Sequence, residues 1–132
     1  MPFKVNKSII KGTKQHKDLA FKLVRKKLDK GIAGEANNDG SVFINKDVPK
    51  GSALEAEVIN HEADHMARMK KGELGYTDDY VMWRGKKYPR KNGKILYKGK
   101  YLEEGNKNFP WEQLAYKAGT KAKKQLKNKK NA

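Results

Sequence analysis

The sequence predicts a single α+β domain, and three observations support this fold class. The chain has 132 residues, which is the length of one typical domain. Start and stop signals mark three helical stretches along it. Short runs rich in β-branched and aromatic residues lie between these stretches. A chain of this size has room for one modest core built from both kinds of element.

The first helix is predicted over residues 13–30. Thr13 is a suitable N-cap, and Gly31 can take the C-terminal cap position. Lys22, Arg25, Lys26 and Lys27 are expected to face water, so we expect a one-faced helix that packs on a sheet. Its apolar residues are Leu19, Ala20, Phe21, Leu23, Val24 and Leu28.

A strand is predicted over residues 41–45, after a stretch rich in glycine and asparagine at residues 31–40. The strand residues are largely β-branched or aromatic, and a turn follows at residues 48–51.

The second helix has the clearest boundaries. Ser52 and Glu55 form a capping box, in which each side chain accepts a hydrogen bond from the other's free backbone N–H. The helix should therefore begin at Ala53 and end near Lys71, where Gly72 can take the left-handed cap.

Residues 76–102 are predicted to be a β-rich region. A hairpin is expected at residues 95–102, turning at Lys98-Gly99. The last helix should open at residues 108–110, because Pro110 suits a first turn, and continue through Tyr116. We therefore divide the chain into one domain at residues 1–116 and a lysine-rich helix end or tail at residues 117–132.

The chain is strongly basic, with 31 Lys plus Arg against 15 Asp plus Glu and a net charge of +16. This charge indicates a polyanionic partner, either nucleic acid or an acidic protein surface. Seven lysines and no acid lie in the segment 117–132, which is the expected contact region. The absence of cysteine excludes disulfides, thiol nucleophiles and Cys-ligated metals.

The sequence also contains no apolar run long enough to span a bilayer. Lys4, Lys7 and Lys11 interrupt the N-terminus, which therefore lacks the apolar stretch of a signal peptide. We expect a protein that has no membrane contact and remains in the cytoplasm.

The second helix contains the motif His61-Glu62-Ala63-Asp64-His65, which matches the HExxH pattern of zinc peptidases. Residues four apart share one face of a helix, so both imidazoles can reach one ion. Glu62 can face a water on that ion as general base. Two of the three histidines in the chain belong to this motif.

A catalytic zinc site normally has three protein ligands and a water, so a third ligand should lie downstream of His65. No further histidine follows, which leaves acidic residues as candidates. We favour Glu112, because it lies in the first turn of a separate helix, and the small Ala115 one turn on permits close helix approach. The alternatives are Glu73, Asp78, Asp79, Glu103 and Glu104.

With its HExxH motif followed by Glu112-Gln113-Leu114-Ala115, the sequence resembles the gluzincin-like HExxH metallopeptidases, in particular the minimal zincin domains of bacteriophage genomes. The resemblance implies a zincin-like fold: a backing helix at residues 13–30, a small twisted sheet, the HExxH helix and a following helix carrying the Glu ligand. It also implies that an edge strand near residues 41–45 lies over the HExxH helix. Asp64 departs from the family pattern, in which the inner motif residues are usually uncharged.

The predicted activity is hydrolysis of a peptide bond in a peptide or protein substrate, with Zn²⁺ held by His61, His65 and Glu112 and with Glu62 as general base. Tyr116, Tyr101 and Tyr80 are candidates to stabilise the oxyanion. Asp64, Asp78 and Asp79 are candidates to bind the remaining imidazole nitrogens, although Asp64 can instead pair with Arg68 at i+4 or remain solvated.

Three other interpretations remain open, and two of them fit the sequence poorly. A metal-dependent nuclease would need further His or Asn ligands on a hairpin, and a di-iron bundle would need a second Glu-x-x-His. The main alternative is a basic virion or assembly protein of a phage, contacting nucleic acid or acidic neighbours, whose zinc site is structural or vestigial. We interpret Trp83, Trp111 and Phe109 as core residues and His16 as a surface residue.

Overall fold

The computed structural model describes residues 7–11, 13, 16 and 19–130, with side chains for 13, 16 and 19–127. It confirms the mixed α+β class. The described elements are β1 (Lys7–Lys11), β2 (Ala20–Lys26), β3 (Gly34–Ala36), β4 (Ser41–Asn45), α1 (Ala53–Lys70), β5 (Leu74–Tyr76), β6 (Tyr80–Trp83), β7 (Lys86–Lys91), β8 (Lys94–Tyr97), β9 (Lys100–Glu103) and α2 (Pro110–Lys130).

The predicted helix over residues 13–30 is wrong, because residues 20–26 form strand β2. Leu19, Phe21 and Leu23 are buried while Ala20 and Lys22 between them are exposed. This alternation has the period of two that is typical of a half-buried strand. Residues 14, 15, 17 and 18 of the predicted helix lie outside the described residues.

The first sheet has the strand order β1-β2-β4-β3, with β2 and β4 parallel and the other pairs antiparallel. The strand at residues 41–45 has the predicted bounds, but it lies inside the sheet. The expectation that it is the edge strand is therefore wrong. That position belongs to β3, which comes from the glycine- and asparagine-rich stretch.

Helix α1 begins and ends as predicted. The Ser52 hydroxyl accepts a hydrogen bond from the Glu55 N–H at 3.0 Å, and Gly72 has a φ of +77°. The reciprocal half of the capping box differs from the prediction, because the Glu55 carboxylate accepts from Gly51 N–H at 3.1 Å and also pairs with Arg25 of β2. Glu55 thus fixes the helix start to the first sheet.

The second sheet is an antiparallel meander of β5 to β9. It contains the predicted hairpin, in which Leu96 pairs with Tyr101 and the turn residues Lys98 and Gly99 have φ values of 49° and 80°. Two positive φ values are what a tight two-residue turn between twisted strands requires.

The described residues form two hydrophobic cores. The first lies between the first sheet and α1 and includes Phe21, Ile44 and Met66. The second lies between the meander and the start of α2 and includes the residues predicted to be core, Trp83, Phe109 and Trp111. Phe109 and Trp111 stack with their ring centroids 4.8 Å apart.

Helix α2 begins at the predicted Pro110 and continues through residues 117–130. Its small residues pack against α1. Ala115, Ala118 and Ala122 are buried, and a methyl group added to Gly119 would lie 2.7 Å from the Glu57 carbonyl oxygen. Lys123 also pairs with Glu57 at 3.5 Å. Within the part of the chain that is described, neither helix is long and apolar enough to cross a membrane.

Candidate metal centre

His61, His65 and Glu112 converge at the contact between α1 and α2. The Nε2 atoms of His61 and His65 lie 3.0 Å and 2.9 Å from the same atom, Glu112 Oε1. One ligand atom from each of the three residues lies within 4.8 Å of the others. The helical spacing of four residues stacks the two imidazoles on one face of α1, while the first turn of α2 directs the carboxylate towards them.

This arrangement is chemically suited to a metal ion. Two nitrogen donors and one carboxylate oxygen present lone pairs to one small volume, and all three side chains are largely shielded from solvent. In the metal-free protein, protons on the imidazoles hold the group together through hydrogen bonds to Glu112. A divalent cation can replace those protons, since the same atoms are metal ligands once deprotonated.

Glu112 and His65 shift each other's pKa. Burial opposes ionisation of Glu112, but the hydrogen bonds from His61 and His65 outweigh it and lower the pKa of this carboxyl to about 2. Burial likewise opposes the charge on His65, and the hydrogen bond to Glu112 overcomes that effect and raises the imidazole pKa. Glu112 is therefore an anion already positioned for a cation.

Glu62 lies beside this group, almost completely buried. Burial raises the pKa of its carboxyl, and the nearby charges of His65 and His61 only partly offset the effect. A methyl group at Gly34 of β3 would approach Glu62 Cγ to 3.0 Å and Val58 Cγ1 to 2.8 Å. The strand therefore passes very close to the Glu62 side chain.

The alternative acidic ligands lie elsewhere. Glu73 pairs with Arg68 at 2.9 Å, and Asp78, Asp79 and Glu103 are exposed. Glu104 lines the cleft described below, but it pairs with Arg90 and does not belong to the converging group.

Asp64 is buried and does not belong to the converging group of His61, His65 and Glu112. Its carboxylate accepts from Arg68 at 3.2 Å, which confirms the i+4 pairing, and it contacts His16 Nε2 at 2.9 Å. Asp64 is therefore not solvated, and the prediction of a surface role for His16 is wrong. The expectation that Asp64, Asp78 or Asp79 binds the remaining imidazole nitrogen is also wrong for His65, because its Nδ1 has no hydrogen-bond partner among the described residues.

His61, His65, Glu112 and Glu62 line an open cleft of about 730 Å³. Strand β3 contributes Gly34, Glu35 and Ala36 to its walls. Sequence reasoning did not find this wall, since a run of glycine and asparagine is more typical of a loop than of a strand. The close packing of Gly34 on α1 explains why a residue without a side chain is needed there.

Among the tyrosines proposed to stabilise an oxyanion, Tyr116 lines the cleft and Tyr101 and Tyr80 do not. The Tyr116 ring packs edge-on to His61 with the centroids 4.4 Å apart, and its hydroxyl donates to the Gly105 carbonyl at 3.0 Å. Tyr76, which the sequence did not single out, also lines the cleft, and burial raises its pKa well above the ordinary value. Its ring lies on β5, the strand that follows α1, with its centroid 6.4 Å from that of His65.

Comparison with known proteins gives no relative: the chain matches no family model, no curated protein and no solved structure.

Proposed function

We propose that this chain is a zinc-dependent peptidase in which His61, His65 and Glu112 hold the metal ion and Glu62 is the general base. The observation that carries the proposal is the convergence of both Nε2 atoms on Glu112 Oε1, beside a buried carboxylate in an open cleft. The sequence resemblance to zincin-like metallopeptidases supports the same assignment.

The donor set favours zinc among biological metals. Two imidazoles and one carboxylate form a common catalytic zinc site, whereas calcium and magnesium prefer oxygen ligands alone. When bound, zinc supplies Lewis acidity that makes water a nucleophile near neutral pH and polarises a carbonyl group.

Glu62 is suited to proton transfer. Its raised pKa makes the carboxylate a stronger base than a solvated glutamate, so it can accept a proton from attacking water and later donate it to the leaving amine. The phenols of Tyr76 and Tyr116 stay protonated at neutral pH, because burial raises the pKa of each. The Tyr76 hydroxyl can therefore donate a hydrogen bond to a substrate oxygen, whereas the Tyr116 hydroxyl already donates to the Gly105 carbonyl.

Strand β3 is suited to align an extended peptide. Among the described residues it pairs with β4 alone, and it contributes to the cleft wall. An edge strand offers backbone N–H and C=O groups that can pair with an added chain. A peptide bound in this way would lie along the cleft next to Glu62.

The first test is the zinc-to-protein ratio of the purified full chain, with His65→Ala and Glu112→Ala beside it. We expect a ratio near one in the wild type and none in either variant. His16→Ala, which removes the histidine outside the group, is the matched control and should keep its zinc. Stoichiometric zinc in His65→Ala would refute the site assignment.

The second test separates catalysis from metal binding. Glu62→Gln should keep stoichiometric zinc and lose peptidase turnover by a factor of roughly 10²–10⁴, the usual contribution of a general base. Unchanged turnover on an unfolded protein substrate would refute the role of Glu62.

The alternative function is a basic assembly or nucleic-acid-contacting protein with a structural metal site, which the net charge of +16 favours. Such a protein should unfold when zinc is chelated and show no peptidase activity that Glu62→Gln can abolish.

A further inference from the structure

A second groove, of about 820 Å³, lies on the face of α2 opposite to α1. We call it the basic groove. Its cationic residues are Arg84 at the end of β6, Lys107 before α2, and Lys117, Lys121 and Lys124 on α2. No aspartate or glutamate is among the described residues that line it.

None of these five side chains forms a salt bridge to a carboxylate within the described part of the chain, although the Arg84 charge lies close enough to Glu73 to help lower the pKa of that carboxyl. Lys123 provides a contrast. It lies outside the groove and pairs with Glu57 on α1. A concave surface lined by one sign of charge attracts ligands of the opposite sign.

The basic groove adjoins the catalytic cleft at Tyr116, which lines both. The Tyr116 ring contacts His61 on the cleft side, and the Lys107 ammonium lies 5.1 Å from its centroid. A single extended chain can therefore pass the metal site and continue along α2.

We propose that the basic groove binds an acidic segment of the polypeptide whose scissile bond lies in the cleft. The inference rests on the proposed function and adds a substrate class to it, namely proteins with a run of aspartate or glutamate near the cleavage site. Lys117 and Lys121 are separated by a rise of about 6 Å along the helix. Side chains on one face of an extended peptide repeat at about 6.7 Å, so alternate carboxylates match this spacing.

The aromatic residues of the groove favour a peptide over single-stranded nucleic acid. Base stacking needs an open ring face. Trp83 is buried with the Arg84 guanidinium 4.6 Å from its ring centroid, and Tyr116 is occupied by His61 and Lys107. Lysine ammonium groups supply point charges for carboxylates without the bidentate geometry used to identify bases.

The test is binding of a labelled oligoglutamate peptide to the zinc-loaded full chain, measured by fluorescence anisotropy. The variant Lys117→Gln/Lys121→Gln/Lys124→Gln should weaken binding by about tenfold or more, since it removes three charges from one contact surface. The control Lys27→Gln/Lys46→Gln/Lys50→Gln removes the same charge from exposed positions outside the groove and should change affinity less than about twofold. All six side chains are exposed, so both variants should fold.

Two binding results would overturn the inference. Equal loss of affinity in both triple variants would show attraction to net charge alone. Tight binding of an oligothymidine of equal charge, lost only in the groove variant while oligoglutamate does not bind, would make the groove a nucleic-acid site.

A kinetic comparison separates this inference from the proposed function. For a peptide with an acidic extension, the groove variant should raise KM with little change in kcat, and a peptide without the extension should be cleaved equally by both proteins. If the groove variant cleaves the peptide with the acidic extension at an unchanged KM, this inference is overturned and the proposed function is not. Groove-specific binding without any peptidase activity in the wild type would refute the proposed function and, with it, the assignment of the acidic segment to a substrate.

Discussion

Gly119 of α2 packs directly on Glu57 of α1, where an added methyl group would lie 2.7 Å from the Glu57 carbonyl oxygen. Because backbone cannot yield as a side-chain end can, Gly119→Ala should force the helices apart. We expect the free energy of unfolding to fall by about 1–3 kcal/mol and zinc affinity to fall, since Glu112 and the histidines lie on different helices. Urea denaturation and zinc titration would measure both.

The control for that substitution is Gly75→Ala. The nearest atom to the added methyl is the end of the Met82 side chain at 3.4 Å, an ordinary contact. If both alanine variants bind zinc as tightly as the wild type, close helix packing does not set the ligand geometry.

Gly34→Ala should reduce turnover while zinc remains bound. The new methyl group would meet Val58 Cγ1 at 2.8 Å and Glu62 Cγ at 3.0 Å, so β3 or Glu62 must shift. A small misplacement of a general base slows proton transfer, and we expect a loss of roughly 10- to 100-fold in kcat. Zinc analysis and peptidase kinetics on the same preparation check this, and normal kcat would show that Glu62 tolerates the displacement.

Arg68→Met should destabilise the protein by about 1–3 kcal/mol, since the buried Asp64 carboxylate loses its guanidinium partner. The matched control is Lys94→Met. Lys94 and Glu103 form an exposed pair at 3.9 Å, which should contribute no more than about 1 kcal/mol. Thermal denaturation of the two variants gives the comparison, and equal destabilisation would contradict the assigned role of Asp64.

The metal-free protein should be most stable in weakly acidic solution. The raised His65 pKa stabilises the fold below its ordinary value of 6.5, and this contribution is lost as pH rises through the raised pKa. Glu112 acts in the opposite sense, stabilising above its ordinary 4.5 and losing that contribution as pH falls towards about 2. Glu62, whose pKa is raised by burial, adds to the loss at higher pH.

Urea midpoints of chelator-treated protein across this range would reveal the maximum between about pH 4.5 and 6.5. Glu112→Gln removes the anionic partner of both imidazoles and should flatten the profile. A profile as steep in Glu112→Gln as in the wild type would contradict this assignment.

The parts of the fold that could be predicted from the sequence are those set by a few neighbouring residues, such as helix caps and tight turns. The start of α1 follows from the Ser52 hydroxyl, and the turn at Lys98-Gly99 follows from backbone conformation. The helix predicted over strand β2 is wrong because the apolar residues allow both interpretations. Ala20, Leu23 and Val24 have the i, i+3, i+4 spacing of a helix face, whereas Leu19, Phe21 and Leu23 alternate with the period of a strand. Pairing of β2 with β1 and β4, a tertiary effect, decided between them.

The spacing of His61 and His65 predicts both imidazoles on one helix face. The small Ala115, one turn after Glu112, indicates that a second helix can approach the first closely. The Arg68 partner of Asp64 follows from the i+4 spacing, but the contact with His16 could not be predicted, because His16 lies 48 positions away without any shared motif. The role of β3 was likewise hidden, since the close approach of Gly34 to α1 arises only from packing.

Each of the two hydrophobic cores is built on a different sheet. The candidate metal ligands come from both of these parts of the molecule. His61 and His65 lie on the helix that covers the first core, while Glu112 follows directly after Trp111 of the second. An ion shared by them would join position 61 to position 112 and close a loop of about fifty residues, as a crosslink does. In a chain without cysteine, metal supply rather than oxidation would then govern how firmly the two halves hold together.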